Sequence, residues 1–253
     1  LCTTSLNPQS TIGGPSMIRS AAKNLQSVAV LVNPDRYDEI LTELESGKGV
    51  LSQETRNQLC AEAFMHTAQY DALIASYLSD KLEGTQGMPE LLSPALEKVS
   101  ELRYGENPHQ KAAFYRLSAS HGLPEMQQLH SKELSYNNWI DIEAAWQLAQ
   151  EFELPGAAII KHTNPCGAAV GDNLAEAYAL AYAADPVSAF GSIIGLNRHV
   201  DVATATQIAE TFVEVVVAPG YDDDALEILT KKTAIRLLKC PRFEVSEPSP
   251  RYR

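Results

Sequence analysis

The 253-residue chain is short of the features that mark several protein classes. Basic residues are scarce: 20 Lys and Arg stand against 32 Asp and Glu, a formal net charge of −12. Binding nucleic acid or an anionic membrane needs a cationic footprint, so no nucleic acid and no membrane is expected as a partner. An anionic small molecule is still allowed, because a few local cations and backbone N–H groups reverse the field inside a cleft. Cysteine is sparse too. Cys2, Cys60, Cys166 and Cys240 form no C-x-x-C pair, which argues against a disulfide framework and for a reducing compartment such as the cytosol. No apolar run nears the ~18 residues of a membrane span, and there is no signal-peptide pattern. The sequence starts at Leu1 rather than Met, and "LCTTSLNPQS" has no periodicity, as in a fragment or a processed start.

What is present is a core. At 45% hydrophobic and 21% charged residues, the composition is that of a globular protein, and the length suits one large domain or two smaller ones. "SVAVLVN" (Ser27 to Asn33) is β-branched and apolar and predicts a buried strand. Helical patterns follow over Arg36 to Glu45 and Ser52 to Leu82, and the Gly- and Pro-rich "EGTQGMPELLSP" predicts a linker. The expected organisation is therefore 1–82, a linker at 83–96, and 97–253. Past the linker, helices over Ile142 to Phe152, Leu174 to Ala183, Ala203 to Thr211 and Asp223 to Leu229 alternate with the apolar segments "GAAII", "SIIGL", "VEVVV" and "AIRLL". That alternation predicts an α/β fold with a mainly parallel sheet covered on both faces. Ligand sites in such sheets collect at strand carboxyl ends.

Three clusters carry chemistry. In "IIKHTNPCGAAVG" a cation and an imidazole, Lys161 and His162, stand where an apolar run ends, followed by a Pro-Cys-Gly turn and small residues that would let backbone approach a ligand. The adjacent ammonium favours the neutral, proton-accepting form of His162, while Lys161 would stabilise developing negative charge. The bland alternative is a snorkelling lysine and a turn-capping histidine. In "LRYGENPHQKAAFY", Arg103, Tyr104, Asn107, His109 and Gln110 crowd around Gly105 and Pro108. Arg103 offers a planar fork for phosphate or carboxylate, against the alternative of a solvated turn. In "DPVSAFGSIIG", Gly191 lets a backbone come close to a ligand, or merely punctuates a helix-to-strand junction. "IGGPSMIRSAAKN" has the form of a phosphate-approach turn before a helix.

His162 and Cys166 raise the question of metal. Zinc deaminases use H-x-E with P-C-x-x-C. Here Thr163 and Asn164 follow the histidine, and Gly167, Ala168 and Ala169 follow the cysteine, so the glutamate and the second thiol are missing. No metal site is expected.

Taken in order and spacing, "IGGPSMIRSAAKN", "LRYGENPHQKAAFY", "KELSYNNWIDIEAAW", "KHTNPCGAAVG", "DPVSAFGSIIGLNR" and "VVVAPGYDDDALEIL" resemble the bifunctional enzyme of purine biosynthesis. That family joins AICAR transformylase to IMP cyclohydrolase, and the resemblance runs from about Ile12 to about Leu238. It implies transfer of a formyl group from 10-formyltetrahydrofolate to AICAR, followed by ring closure to IMP. It also implies a homodimer, and small-molecule partners limited to AICAR and folate. For the fold it implies the end of a methylglyoxal-synthase-like cyclohydrolase domain, then the first half of a cytidine-deaminase-like transformylase domain without zinc. By the same resemblance His162 moves the proton, Lys161 stabilises the formyl oxyanion, and Arg103, Tyr104, Asn138, Gly191 and Glu214 contact the nucleotide. Lys23 matches the cyclohydrolase lysine. Two departures stand out: Thr11 replaces the family's usual Asp, and Glu214 falls where some members have Asp. The alternative to a working enzyme is a central fragment, impaired in catalysis, that keeps a nucleotide-binding or dimerisation surface.

Overall fold

The computed structural model describes residues 13–82, 93–117 and 123–241. Thr11, Cys2 and most of the expected linker lie outside the described residues. The chain divides into two compact units, Leu1–Ala95 and Leu96–Arg253.

The first unit is helical. Helix α1 (Gly13–Lys23) takes the Gly-Gly-Pro sequence into its own first turn, so the expected separate turn before the helix is not there. A 3-10 turn at Pro34–Arg36, with the Asn33 side chain accepting from the Asp35 N–H, leads into α2 (Tyr37–Ser46). Helix α3 (Gln53–Leu82) follows. Buried apolar side chains among the described residues of this unit are few: Ala22, Ile40, Leu59 and Ala63. The stretch from Ser27 to Asn33, expected as a buried strand, has no strand assignment, and Val28 is exposed. Pattern supplied its apolar residues, but a strand exists only by pairing, and no described segment pairs with it.

The second unit opens with β1 (Leu96–Leu102) and β2 (Ala112–Leu117), an antiparallel pair of their own. A mixed six-stranded sheet follows in the order β3-β8-β7-β6-β4-β5. Its strands are β3 (Gln127–His130), β4 (Gly156–Lys161), β5 (Asn164–Val170), β6 (Ser192–Leu196), β7 (Val213–Ala218) and β8 (Arg236–Lys239). Helices α4 (Tyr136–Gln150), α5 (Leu174–Ala184), α6 (Val202–Ala209) and α7 (Asp223–Thr230) cover it. Only the pairs β6–β7 and β7–β8 are parallel; β3–β8, β4–β5 and β4–β6 are antiparallel. The mainly parallel sheet is thus corrected to a mixed one. The physical reason is the link after β4, a two-residue hairpin turn rather than a helical crossover, which reverses the chain.

Both faces are buried, as the apolar runs predict. Alternation along the central strands sends Ile159, Ile194 and Val216 to one face with Leu174, Tyr178, Ile208 and Leu229. Ile160, Ile193, Val215 and Val217 go to the other with Ile142 and Trp146 of α4. Each such side chain contributes about 1.5–3 kcal/mol on burial. Some polar groups inside bridge elements, while others, Ser192 Oγ and Thr204 Oγ1 among them, have no hydrogen-bond partner. The Asn197 side chain accepts from the Gly156 N–H at 2.7 Å and donates to the Phe152 and Leu154 carbonyls at 2.8 Å each, tying β6 to the entry of β4. Asn173 and Asp201 cap α5 and α6. Helix α4 starts six residues before its expected first residue, because Ser135 and Asn138 form a reciprocal capping box there. Among the described residues no helix is long and apolar enough to cross a membrane.

Candidate functional site

Arg103, Tyr104, Asn138 and Glu214, all expected site residues of the second unit, converge from three segments. Arg103 and Tyr104 lie just beyond β1. The Arg103 N–H donates to the Leu134 carbonyl, and the Tyr104 carbonyl accepts from the Tyr136 N–H, both at 3.2 Å, which fixes this loop to the start of α4. The Arg103 guanidinium sits 5.3 Å from the Tyr104 ring centroid. Asn138, in the first turn of α4, donates from its amide to Glu214 Oε2 at 3.3 Å. Glu214 is the second residue of β7. These four line one cavity of about 450 Å³, together with Lys132, Ser135, Phe212, Thr233, Ala234 and Arg236.

Lys161 and Gly191 form the adjoining piece. The Lys161 ammonium donates to the Gly191 carbonyl at 2.5 Å, and the Gly191 N–H donates to the Phe212 carbonyl at 2.8 Å. Phe212 in turn lines the cavity. Gly191 has φ +71°, and a Cβ there would stand 2.9 Å from the lysine Nζ and 3.4 Å from the Phe212 ring. The left-handed backbone conformation therefore favours glycine, and an added Cβ would press on the lysine ammonium. Phe190, two-thirds exposed, tilts against Phe212 with ring centroids 5.1 Å apart.

His162 is placed differently. It and Thr163 are the two central residues of the β4–β5 hairpin turn, both left-handed at φ +52° and +63°, and its side chain is exposed. It is not among the residues lining the cavity. The Thr163 N–H donates to the Asp141 carboxylate of α4 at 2.6 Å, which pins the turn. Lys23, the last residue of α1, is exposed in the first unit, where a cation complements the helix dipole.

Three expectations about "IIKHTNPCGAAVG" need correction. The chain turns at His162–Thr163, and Pro165, Cys166 and Gly167 lie inside β5, a strand at the sheet edge where proline's missing N–H is tolerated. Cys166 is the extra residue of a bulge, since Ile159 pairs Gly167 while Ile160 pairs Pro165. The smallness of Gly167 serves packing: a Cβ there would fall 1.9 Å from the Ala181 carbonyl oxygen of α5. Lastly, the cavity does not sit at the carboxyl ends of the parallel strands. Glu214 and Arg236 stand at the amino ends of β7 and β8, and Gly191 just precedes β6. Lys161 joins them only because its strand runs the other way.

The remaining polar residues of the second cluster are local. Gln110 accepts from the Asn107 N–H at 2.8 Å, and its carbonyl accepts from the Gly105 N–H at 2.9 Å, so these residues close an exposed turn. Burial pushes the Cys166 thiol's ionisation upward, and its Sγ donates to the Ile159 carbonyl at 3.5 Å. Among the described residues no three His, Cys, Asp or Glu side chains are grouped to hold a metal ion. Lys132, Phe212 and Arg236 were not singled out in the sequence, although a lone arginine inside the apolar "AIRLL" was a usable signal.

Fold and cavity together define a mixed α/β domain with a cationic cleft at the amino ends of its parallel strands, with an aromatic wall and an amide–carboxylate pair. The chain belongs to the AICARFT/IMPCHase bienzyme family, whose sequence model matches residues 21–253. It is 49% identical over 242 residues to the bifunctional purine biosynthesis protein PurH of Halalkalibacterium halodurans, covering 95% of this chain and 47% of that protein. It is 51% identical over 229 residues to PurH of Thermoanaerobacter sp. (strain X514), covering 90% of this chain and 44% of the relative. The chain thus spans about half the length of the curated relatives it matches.

Proposed function

We propose that this chain supplies part of the formyl-transfer machinery of purine biosynthesis, acting on AICAR with 10-formyltetrahydrofolate as formyl donor and leading to IMP in the complete enzyme. In this reading 1–82 is the end of a methylglyoxal-synthase-like cyclohydrolase domain. Residues 97–253 are the first half of a cytidine-deaminase-like, zinc-free transformylase domain, and the working enzyme is a cytosolic homodimer. One observation carries the reading. Arg103, Tyr104, Asn138 and Glu214, far apart in sequence, line one cavity, and Lys161 reaches its wall through Gly191 and Phe212.

The chemistry follows from the residue types. The AICAR amine attacks the formyl carbon, a C–N bond forms, and negative charge develops on the formyl oxygen, where the Lys161 ammonium would stabilise it. The amine proton passes to His162. The bond from formyl carbon to the folate nitrogen then breaks, and that nitrogen takes up a proton. Arg103 would hold the phosphate and Tyr104 would pack beside the nucleotide, while the Asn138 amide and Glu214 carboxylate would meet its polar edge. Lys23 would serve ring closure in the cyclohydrolase part.

A second reading, nucleotide binding without turnover, has its own support: His162 stands exposed on a turn, and the Lys161 ammonium is already bonded to Gly191. An assay of formyl transfer from 10-formyltetrahydrofolate to AICAR, with calorimetric AICAR binding alongside, separates the two. Turnover supports the first reading, binding without turnover the second, and absence of both refutes the site.

A further inference from the structure

We infer that Arg236 and Lys132, acting with Arg103, make the cleft select ligands that carry a doubly charged phosphate monoester. The nucleotide identity of the ligand rests on the reading above, whereas the anion site rests on the arrangement of charge. The three cations come from three separate segments: the loop after β1, the bend after β3, and the first residue of β8. Each faces the same cavity.

Their lack of hydrogen-bond and ion-pair partners is the telling feature. Elsewhere the chain pairs its arginines: Arg36 with Glu39 and Glu62, Arg116 with Glu97, Arg19 with Asp71. Among the described residues, no hydrogen bond or ion pair engages the side chains of Arg103, Lys132 or Arg236. Arg236 Nε is buried with no acceptor in reach; six other polar side-chain atoms among the described residues share that state, but of the seven only Arg236 belongs to a residue lining the cavity. A guanidinium N–H taken out of water and left unpaired is costly, and such exceptions mark places where a ligand completes the bonding. The cleft's carboxylate, Glu214, is held by the Asn138 amide. Three cations and one carboxylate line the cavity, with the Lys161 ammonium at its wall, a surplus of positive charge that suits a phosphate monoester, which is doubly charged above its second pKa of about 6. A phosphate monoester meets more of that surplus than a single carboxylate or an uncharged nucleoside does. Arg236 has the planar fork for two phosphate oxygens, and Lys132 adds a mobile point charge at the exposed rim.

The test is calorimetric titration of this chain, of Arg236→Gln and of Lys132→Gln with AICAR, its unphosphorylated riboside and inorganic phosphate, with melting curves alongside. The expected result is that each variant loses about tenfold or more in AICAR affinity while its riboside affinity stays unchanged. Lys132 is exposed, so its variant keeps the inference testable should Arg236→Gln fail to fold. Variants that fold normally and bind AICAR within twofold of the parent would overturn it, as would a parent that prefers the riboside or binds none of the three. Inorganic phosphate bound by the parent, lost in Arg236→Gln and not bettered by AICAR, would keep the anion site and dismiss the nucleotide reading.

Discussion

Replacing Gly167 by alanine tests whether the small residues of β5 are there for a ligand or for the fold. The added Cβ would lie 1.9 Å from the Ala181 carbonyl oxygen and 2.8 Å from its carbon, where ordinary van der Waals contact begins at 3.4 Å. Both atoms belong to helix backbone and cannot rotate aside, so β5 and α5 must separate by about 1.5 Å at that point, by simple subtraction. Around them Ile159, Tyr178 and Ala181 are buried, and the parted surfaces would lose contacts there. Overpacking of this kind costs about 1–3 kcal/mol, and a clash with backbone belongs at the upper end. For a unit of this size each kcal/mol moves Tm by about 2–4 °C, so a fall of about 6–12 °C is expected. Both tryptophans, Trp139 and Trp146, lie in the second unit, so fluorescence-monitored melting reports on it alone. AICAR affinity of the folded variant should stay within twofold of the parent. An unchanged Tm with AICAR binding lost would refute the packing argument and return the glycine to the ligand.

His162→Asn keeps a residue that tolerates the left-handed turn, so it should leave Tm unchanged while lowering formyl transfer at least ~10²-fold in the full-length enzyme; near-normal turnover would remove His162 from the proton path. Lys23→Ala in the same context should spare formyl transfer and abolish ring closure, and an equal loss of both would contradict a division of labour between the two units. Burial pushes the Cys240 thiol up to about 12. As pH rises past the thiol's unfolded value of about 8.5, the unfolded chain releases a proton that the folded one keeps, so stability falls by up to ~1.4 kcal/mol per pH unit. Urea unfolding followed across that range should lose this part of its slope in Cys240→Ala, and an equal slope in both proteins would show the thiol free to ionise in the fold.

What could be read in the sequence followed from local pattern. "GAAII", "SIIGL" and "VEVVV" form strands because continuous apolar runs bounded by turns suit a sheet buried on both faces. Strand direction was not legible, because the antiparallel pairing of β4 with β6 depends on partners more than thirty residues apart. "NPCGAAV" hid a strand behind turn-forming residues that an edge position and a bulge accommodate. "SVAVLVN" showed the converse, a strand pattern with no described segment to pair with. At the site, the crowding of polar residues brought Arg103 and Tyr104 forward, and family likeness added Asn138 and Glu214. Their convergence, and the company of Lys132 and Arg236, needed the topology that sets the amino ends of β7 and β8 beside the loop after β1.

That topology also divides the Lys161–His162 pair. A strand alternates its side chains, so Lys161 shares the face of Ile159 and reaches Gly191, while the chain at His162 has already entered a left-handed turn. A β-branched residue in that conformation, Thr163, costs about 1–2 kcal/mol, and the turn persists because Asp141 holds the Thr163 N–H and because two left-handed residues match the twist of a hairpin. Neighbours in sequence thus face different surroundings, with the cation fixed against a carbonyl and the imidazole open to solvent on the turn. For the proposed reaction that separation is useful. A cation that meets a developing oxyanion gains from being immobile beforehand, whereas a proton acceptor must pass its proton on to water. The bond from Lys161 to Gly191 then holds the ammonium in place until a better acceptor forms, and Gly191, too small to displace it, is part of the same device.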